Sequence, residues 1–178
     1  MKRDDIPLDR LVFSPVRTWN EAWFLLSAGR FPGNDNNCMT VSWGSIGMMW
    51  GKPVAVAVVR PSRHTYSFME KYPDFSLCVF PESQRKALQY CGSHSGRDVN
   101  KPKECGLTPI ALPGLGAPGY EEAELILGCR KLYYGDFDPA HFLSPDIEPN
   151  YKGGDYHRMY YGEILGAWGS ARYMADAL

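Results

Sequence analysis

The stretch NCMTVSWGSIGMMWGKPVAVAVVRPSRHT, residues 37–65, sets a strand rich in valine and alanine directly before a cluster of two arginines and two hydroxyl side chains. The side chains of this first cationic cluster are Arg60, Ser62, Arg63 and Thr65. Arginine presents a planar fork of donors that matches a phosphate, and a helix that begins at Thr65 would add free backbone N–H groups at its positive end. The pattern predicts an anion site. The alternative is a strand-to-helix turn in which Thr65 only caps the helix.

The preceding strand adds polar and aromatic groups close to this cluster. They are Thr40, Ser42 and Trp43. Aromatic surface is often used at ligand sites, so its combination with a phosphate site indicates a ligand that is planar, aromatic and phosphorylated.

Runs of β-branched and aromatic residues dominate the chain from residue 38 onward. They are CMTVSWG, KPVAVAVV, FSLCVF, AELILGCRKLYY and HRMYYGEILGAWG, separated by Gly, Pro and polar turns. This pattern predicts a mainly β fold, arranged as a closed or nearly closed antiparallel barrel. Two short helices are expected between strands, at Thr65–Lys71 and Glu82–Tyr90.

Composition limits the class of protein. With 178 residues, of which 44% are hydrophobic and 22% charged, the chain most simply forms one domain with a real core. A net charge of −1 argues against a surface built for nucleic acid, although a local basic patch can still hold one phosphate. No run approaches the roughly 20 apolar residues of a membrane helix, and MKRDDIPLDR lacks the apolar core of a signal peptide, so a cytoplasmic location is expected.

A second cationic cluster lies in CGSHSGRDVNK, residues 91–101, where a Gly- and Ser-rich turn follows a predicted helix. Its donors are Ser95, Arg97 and Lys101. They are close enough in sequence to reach one anion, and Gly96 would let the backbone approach it closely. The alternative is a solvated loop in which Asp98 pairs with its neighbouring arginine. Neither cluster has the glycine spacing of the common nucleotide-binding loops, which disfavours those folds.

Other chemistry is weakly indicated. The five cysteines are scattered without a C-x-x-C pair, so reduced thiols are predicted rather than a disulfide framework. Cys91 and His94 have ligand-like spacing, but structural zinc needs four ligands and no second pair is visible, so no metal is predicted. His157 begins a strongly β segment and is either a half-buried structural histidine or a ligand contact.

Five segments, taken in order, carry a resemblance to a known family. They are NCMTVSWG at 37–44, KP at 52–53, VRPSRHTY at 59–66, CGSHSGRD at 91–98 with Lys101, and HRMYYGEI at 157–164. They resemble the flavin reductase-like, FMN-binding split-barrel family, and within it the flavoredoxin-type proteins. The resemblance covers about Phe13 to Ile164 and implies a six-stranded antiparallel Greek-key split β-barrel with short connecting helices. The whole chain, residues 1–178, is expected to form a single flavin reductase-like FMN-binding domain. The resemblance also implies a homodimer, with FMN held near the subunit interface.

The resemblance further implies which residues contact FMN. Those that line the flavin would be Thr40, Ser42 and Trp43, and Asn37 and Met39 of the same strand would be further cofactor-binding residues. Those at the phosphate and ribityl chain would be Arg60, Ser62, Arg63 and Thr65, with Ser95, Gly96, Arg97 and Lys101 closing the phosphate end. His157 would lie near the ring face, where a nicotinamide or other donor docks, and is the candidate catalytic residue.

The expected function is that of an FMN-dependent oxidoreductase that takes a hydride from NAD(P)H onto the flavin N5. The alternative is a flavoredoxin-like FMN electron carrier, which has no nicotinamide site of its own and receives electrons from a protein donor. A third interpretation is a structural barrel without a cofactor, in which the arginines are surface charges.

Overall fold

The computed structural model describes residues 2–176, which fold mainly as antiparallel β structure. The strands in this part of the chain are β1 (Asp4–Asp5), β2 (Phe24–Gly29), β3 (Asn36–Val41), β4 (Gly44–Met49), β5 (Lys52–Val59), β6 (Asp74–Val79), β7 (Pro109–Ile110), β8 (Gly119–Tyr120), β9 (Leu125–Asp136) and β10 (Arg158–Gly169). Seven of them pair in the order β3-β2-β6-β9-β10-β5-β4, β1 pairs with the end of β10, and β7 pairs with β8.

The two outer strands of this order, β3 and β4, are separated in the chain by only Ser42 and Trp43. The sheet must therefore curl until its edges come together, and these two residues cross the split between the edges. At the start of β4 the backbone passes so close to Trp19 that a Cβ on Gly44 would lie 2.5 Å from Cζ2 of that ring. Only glycine permits this approach, so the position of Gly44 determines where the chain crosses the split.

The core lies on both faces of the central strands. Phe24 of β2 and Phe75 of β6 pack in the barrel interior. Residues on the opposite face of the same two strands, Leu25 of β2 and Cys78 of β6, belong to a second cluster outside the barrel. That cluster also contains Leu88, from a helix that covers this side of the sheet.

Short helices connect the strands. Those of the described residues are α1 (Pro15–Arg17), which continues as a π-helical turn (Thr18–Ala22), α2 (His64–Lys71), α3 (Arg85–Ser93) and α4 (Lys101–Glu104), with 3-10 turns at Leu8–Arg10, Glu82–Gln84, Pro139–His141, Glu148–Tyr151 and Ala171–Tyr173. Within residues 2–176, no helix is both long enough and apolar enough to cross a membrane.

The predicted mainly β, antiparallel split barrel is confirmed, but its strand count is not. The main sheet of the described residues has eight strands rather than six. The sequence runs do not indicate β2, because all six of its residues are buried and its pattern therefore lacks alternation. Both connecting helices form where expected, although α2 begins at His64 and α3 extends to Ser93 after a separate 3-10 turn.

Candidate functional site

The split of the barrel opens into a groove made of two adjoining cavities. The basic cavity, of about 130 Å³, is lined by the start of α2, the end of α3 and the loop between α3 and α4. The aromatic cavity, of about 220 Å³, is lined by the chain crossing at Ser42 and Trp43, the end of β5, and His157. Met39 and Arg63 line both cavities, so the two form one groove.

The structure brings nearly all of the predicted site residues to this groove. The basic cavity is lined by Met39, Ser62, Arg63, Thr65, Ser95, Gly96, Arg97 and Lys101, and the aromatic cavity by Met39, Thr40, Ser42, Trp43, Arg60, Arg63 and His157. Asn37 lies beneath the wall instead, where its Nδ2 donates to Thr65 Oγ1 at 2.8 Å. The two cationic clusters of the sequence therefore meet at one cavity.

Helix α2 begins at the wall of the basic cavity. Arg63 is its N-cap residue, with an extended backbone at φ −75° and ψ 135°, and no side chain caps the helix. The first N–H groups of an α-helix have no partner within the helix, and the helix dipole makes this end positive. His64 and Thr65 therefore add backbone donors to the charge of the Arg63 guanidinium.

Lys101 is the buried cation of the basic cavity. The residue is only 3% exposed, and its Nζ donates to Cys91 O at 3.2 Å. Among residues 2–176, no carboxylate forms an ion pair with Lys101, Arg63 or Arg97. Burial lowers the pKa of the Lys101 ammonium, since desolvation disfavours its charged form. A buried ammonium is costly without an opposite charge, so this cavity favours an anion.

The loop after α3 closes over β3 at the basic cavity. A Cβ on Gly96 would overlap Asn37 Oδ1 and lie 2.8 Å from Asn37 Cγ, so only glycine allows the loop to come this close. The Arg97 N–H donates to Ser95 Oγ at 3.2 Å, which shapes the turn. Within the described chain no ion pair joins Arg97 to Asp98, so the guanidinium is left exposed at the cavity.

The electrostatic environment of His64 reflects this concentration of positive charge. Burial lowers the pKa of its imidazole, and the Arg97 and Lys101 charges lower it further. A cationic imidazolium is disfavoured in the same field that favours a bound anion.

The aromatic cavity is built around Trp43 and His157. Trp43 is 43% exposed, and its ring centroid lies 5.2 Å from that of His157. Nδ1 of His157 is 3.0 Å from the hydroxyl of Tyr151, which fixes the orientation of the imidazole. Burial, followed by the charge of Arg60, lowers the pKa of His157 to about 4. His157 is therefore neutral at pH 7.

Arg60 and Ser62 contact the connector between β9 and β10. The Arg60 guanidinium donates to Asn150 O at 2.8 Å and lies 5.0 Å from the centroid of the Tyr151 ring. The backbone N–H and hydroxyl of Ser62 donate to the carboxylate of Asp155 at 3.0 and 2.6 Å. Arg60 therefore belongs to the aromatic end of the groove, and Ser62 reaches the basic end with a hydroxyl that is already engaged.

Sequence reasoning did not select His64, which lines the basic cavity, nor Tyr151 and Asp155, which hydrogen-bond the groove residues His157 and Ser62. The first belongs to a segment that the sequence did single out, but only its neighbours were chosen. One signal for Asp155 was available, since it follows Gly153 and Gly154 at a turn. Its backbone φ is +56°, a left-handed conformation that side-chain-bearing residues adopt most readily when they are Asp or Asn.

The donor set of the groove fits FMN. At the basic end, cationic side chains, a hydroxyl and helix N–H groups suit a phosphate dianion. At the aromatic end, the exposed indole and the neutral imidazole suit a flat heteroaromatic ring. The continuity of the two cavities suits a single molecule that carries both groups.

A family model of the flavin reductase like domain matches residues 20–173. A search of curated proteins gives no match. Similar solved structures include an FMN-binding domain of a flavin reductases-like enzyme from Shewanella baltica, with 21% identity, a TM-score of 0.67, and coverage of 94% of this chain and 77% of that chain. Flavoredoxin from Methanosarcina acetivorans has 21% identity and a TM-score of 0.67, covering 95% of this chain and 74% of that chain. An NADH:FAD oxidoreductase from Streptomyces globisporus has 19% identity and a TM-score of 0.61, covering 82% of this chain and 73% of that chain. At these identities the likeness is one of fold.

Proposed function

The chain belongs to the family of flavin reductase like domains, and we propose that it is an oxidoreductase that binds FMN in the groove of its split barrel. The FMN phosphate occupies the basic cavity and the isoalloxazine ring occupies the aromatic cavity. The observation that carries this proposal is Lys101, a buried ammonium at the cavity wall without a carboxylate partner among the described residues.

The phosphate is held from three sides. Arg63 comes from the start of α2, Arg97 from the loop after α3, and Lys101 from the start of α4. Thr65 adds a hydroxyl, which accepts from Asn37 and so keeps its own proton free to donate. A phosphate of charge about −1.5 to −2 supplies the negative charge that these groups lack.

When bound, FMN supplies the redox chemistry of the protein by accepting a hydride at N5 and passing its electrons on. His157 is neutral at pH 7, so it offers a hydrogen bond beside the ring without adding charge. Tyr151 keeps the imidazole in one orientation. Arg60 is a fixed cation at the same end of the groove and stabilises negative charge that develops there.

Electrons come from NAD(P)H in this proposal. An apolar chamber of about 540 Å³ lies beside Trp43, between β10 and the connector that precedes it. Aromatic side chains of its wall include Phe137, Phe142 and Tyr151. Its size and lining support docking of a flat ring such as nicotinamide against the aromatic cavity. The second candidate is a flavoredoxin-like carrier, which would receive electrons from a protein instead; the family match supports both.

The visible spectrum of the purified protein, recorded before and after anaerobic mixing with NADH or NADPH, tests these alternatives. A flavin spectrum that bleaches rapidly with one nicotinamide is expected for the reductase. A flavin spectrum that persists with both nicotinamides but bleaches with a reduced protein donor would favour the carrier. Absence of the flavin bands, together with no binding of added FMN, would contradict both.

We also propose that the protein is a homodimer. Large apolar side chains are exposed on strands β4 and β9 and on the turn after β4, where the Trp50 ring centroid lies 6.2 Å from that of Tyr133. They are Met48, Trp50, Tyr133 and Tyr134, each 55% exposed or more. Contiguous exposed apolar surface is typical of an interaction site. Sedimentation of the wild type and of two variants tests this. We expect the wild type and Leu143→Glu, on the connector, to be dimers and Trp50→Glu to be a monomer. A monomeric wild type would contradict the proposal. The cytoplasmic location stays a prediction that cell fractionation checks.

A further inference from the structure

We propose that Cys91 and Cys105 are a modification site, at which oxidation by hydrogen peroxide forms an intramolecular disulfide that loosens the basic cavity. The five cysteines of the chain are free thiols in this structure. The disulfide itself does not depend on flavin binding. Its effect on the cavity rests on the proposed function, because that effect is read through FMN.

The geometry singles out this pair. Cys91 lies in α3 with 1% of its surface exposed, and Cys105 is the C-cap of α4. Their Sγ atoms are 4.0 Å apart. A disulfide needs a separation of about 2.05 Å, so the two sulfur atoms have to approach by about 2 Å, through rotation of the side chains and movement of α4 against α3. Cys105 is partly exposed, which gives a small oxidant access to one member of the pair.

The other cysteines are less suited to this role. Cys78 and Cys129 are fully buried in strands β6 and β9. Cys38 is also fully buried, and its backbone is fixed in β3 opposite Ser27. The Cys91 thiol hydrogen-bonds the sulfur of Cys38 and thereby lowers the pKa of Cys38, so this third thiol is the competing partner that an experiment has to distinguish.

The reaction balances with peroxide as the oxidant. The thiolate of Cys105 attacks one peroxide oxygen, the O–O bond breaks, and the departing hydroxide takes up a proton to become water. The sulfenic acid left on Cys105 is then attacked by the sulfur of Cys91. The S–O bond breaks, a second water leaves with the Cys91 proton, and the S–S bond forms. Burial raises the pKa of Cys105, so less of it is thiolate at neutral pH and the reaction is expected to become faster as the pH rises.

The consequence for the basic cavity follows from what lies between the two cysteines. The segment 91–105 contains Gly96, Arg97 and Lys101, and Lys101 Nζ also donates to the carbonyl oxygen of Cys91. We infer that part of this approach is a movement of α4 onto α3, which displaces Lys101, the first residue of α4, relative to Arg63 at the start of α2. We expect this displacement to lower the affinity of the basic cavity for the FMN phosphate.

Peptide mapping tests the site in the full-length protein. Trypsin leaves Cys105 and Cys129 in one peptide, because residues 104–129 contain no lysine or arginine, so mapping is done in Cys129→Ala. After peroxide treatment we expect a cross-linked pair containing Cys91 and Cys105, lighter by two hydrogen atoms and separated by dithiothreitol. The double variant Cys105→Ser/Cys129→Ala should lack it. A cross-link to Cys38, or overoxidised thiols without any cross-link, would overturn the proposal.

FMN titration of the reduced and oxidised Cys129→Ala protein tests the coupling. Affinity should fall by about fivefold or more on oxidation and recover with dithiothreitol. The Cys105→Ser variant should show no such change. Equal affinities of the reduced and oxidised forms would overturn the coupling. If the reduced protein binds no FMN at all, the proposed function fails, while the peptide map still decides the disulfide.

Discussion

Lys101→Met is predicted to separate binding from stability. The substitution removes the ammonium but keeps an unbranched apolar side chain of similar length in a position that is 3% exposed. A hydrogen bond to a charged group contributes about 1.5–3 kcal/mol, so FMN affinity should fall by about tenfold to a hundredfold. The unbound protein loses only one hydrogen bond, from Nζ to Cys91 O, worth about 1 kcal/mol. It is also relieved of a buried charge without a carboxylate partner. Its free energy of unfolding should therefore change little, or rise.

Two measurements on the same preparations check this prediction. FMN binding is followed by quenching of flavin fluorescence, and the free energy of unfolding of the flavin-free protein by urea denaturation. Lys103→Met is the matched control, because Lys103 lies on the same helix with an exposed side chain. If Lys101→Met binds FMN as tightly as wild type and Lys103→Met do, the buried lysine is not part of the phosphate site. A large loss of stability without a loss of affinity would refute the reasoning in the same way.

Three further predictions concern the walls of the groove. In Gly96→Ala the new Cβ overlaps Asn37, so we expect a loss of stability of about 1–3 kcal/mol and weaker FMN binding in urea and titration experiments. Gly47→Ala, with no atom within 4 Å of the added Cβ, should change neither. Because the pKa of His157 is lowered to about 4, the unfolded chain binds its proton first as pH falls. Its contribution to stability is therefore present at pH 7 and is lost between about pH 6.5 and 4, as urea titrations across this range would show. The rate of flavin reduction in stopped-flow experiments should have no inflection from this group near about pH 6.5. Stability that rises as the pH falls through this range, or a rate inflection near about 6.5, would contradict the neutral His157. Trp43→Ala should weaken FMN by about 0.5–1.5 kcal/mol or more, measured by the same titration, and unchanged affinity would place the ring elsewhere.

Local sequence patterns predict the barrel well where strands alternate or are β-branched, and fail where they do not. β5 is a run of valines and alanines and is read directly from the sequence. β2 is not predicted, because both of its faces are buried and FLLSAG shows no alternation of apolar and polar residues. The burial of such a strand is decided by helices and loops from distant parts of the chain.

The site residues likewise include some that the sequence predicts and some that it does not. Arg63, Thr65 and Lys101 meet at the basic cavity as the sequence clusters suggest. The engagement of Arg60 with the connector was not predictable, because its partner Asn150 lies 90 residues away in the chain. Nor does composition reveal that Lys101 is buried, since lysine is usually exposed and only the packing of α4 against α3 removes it from water.

Comparison of FMN with riboflavin in one fluorescence titration tests the central claim most directly, because the two ligands differ only by the phosphate. Binding of one FMN per chain, at least about a hundredfold tighter than riboflavin, is expected if Arg63, Arg97 and Lys101 hold the phosphate. Equal affinities for the two ligands, or no saturable FMN binding, would contradict the assignment of the basic cavity.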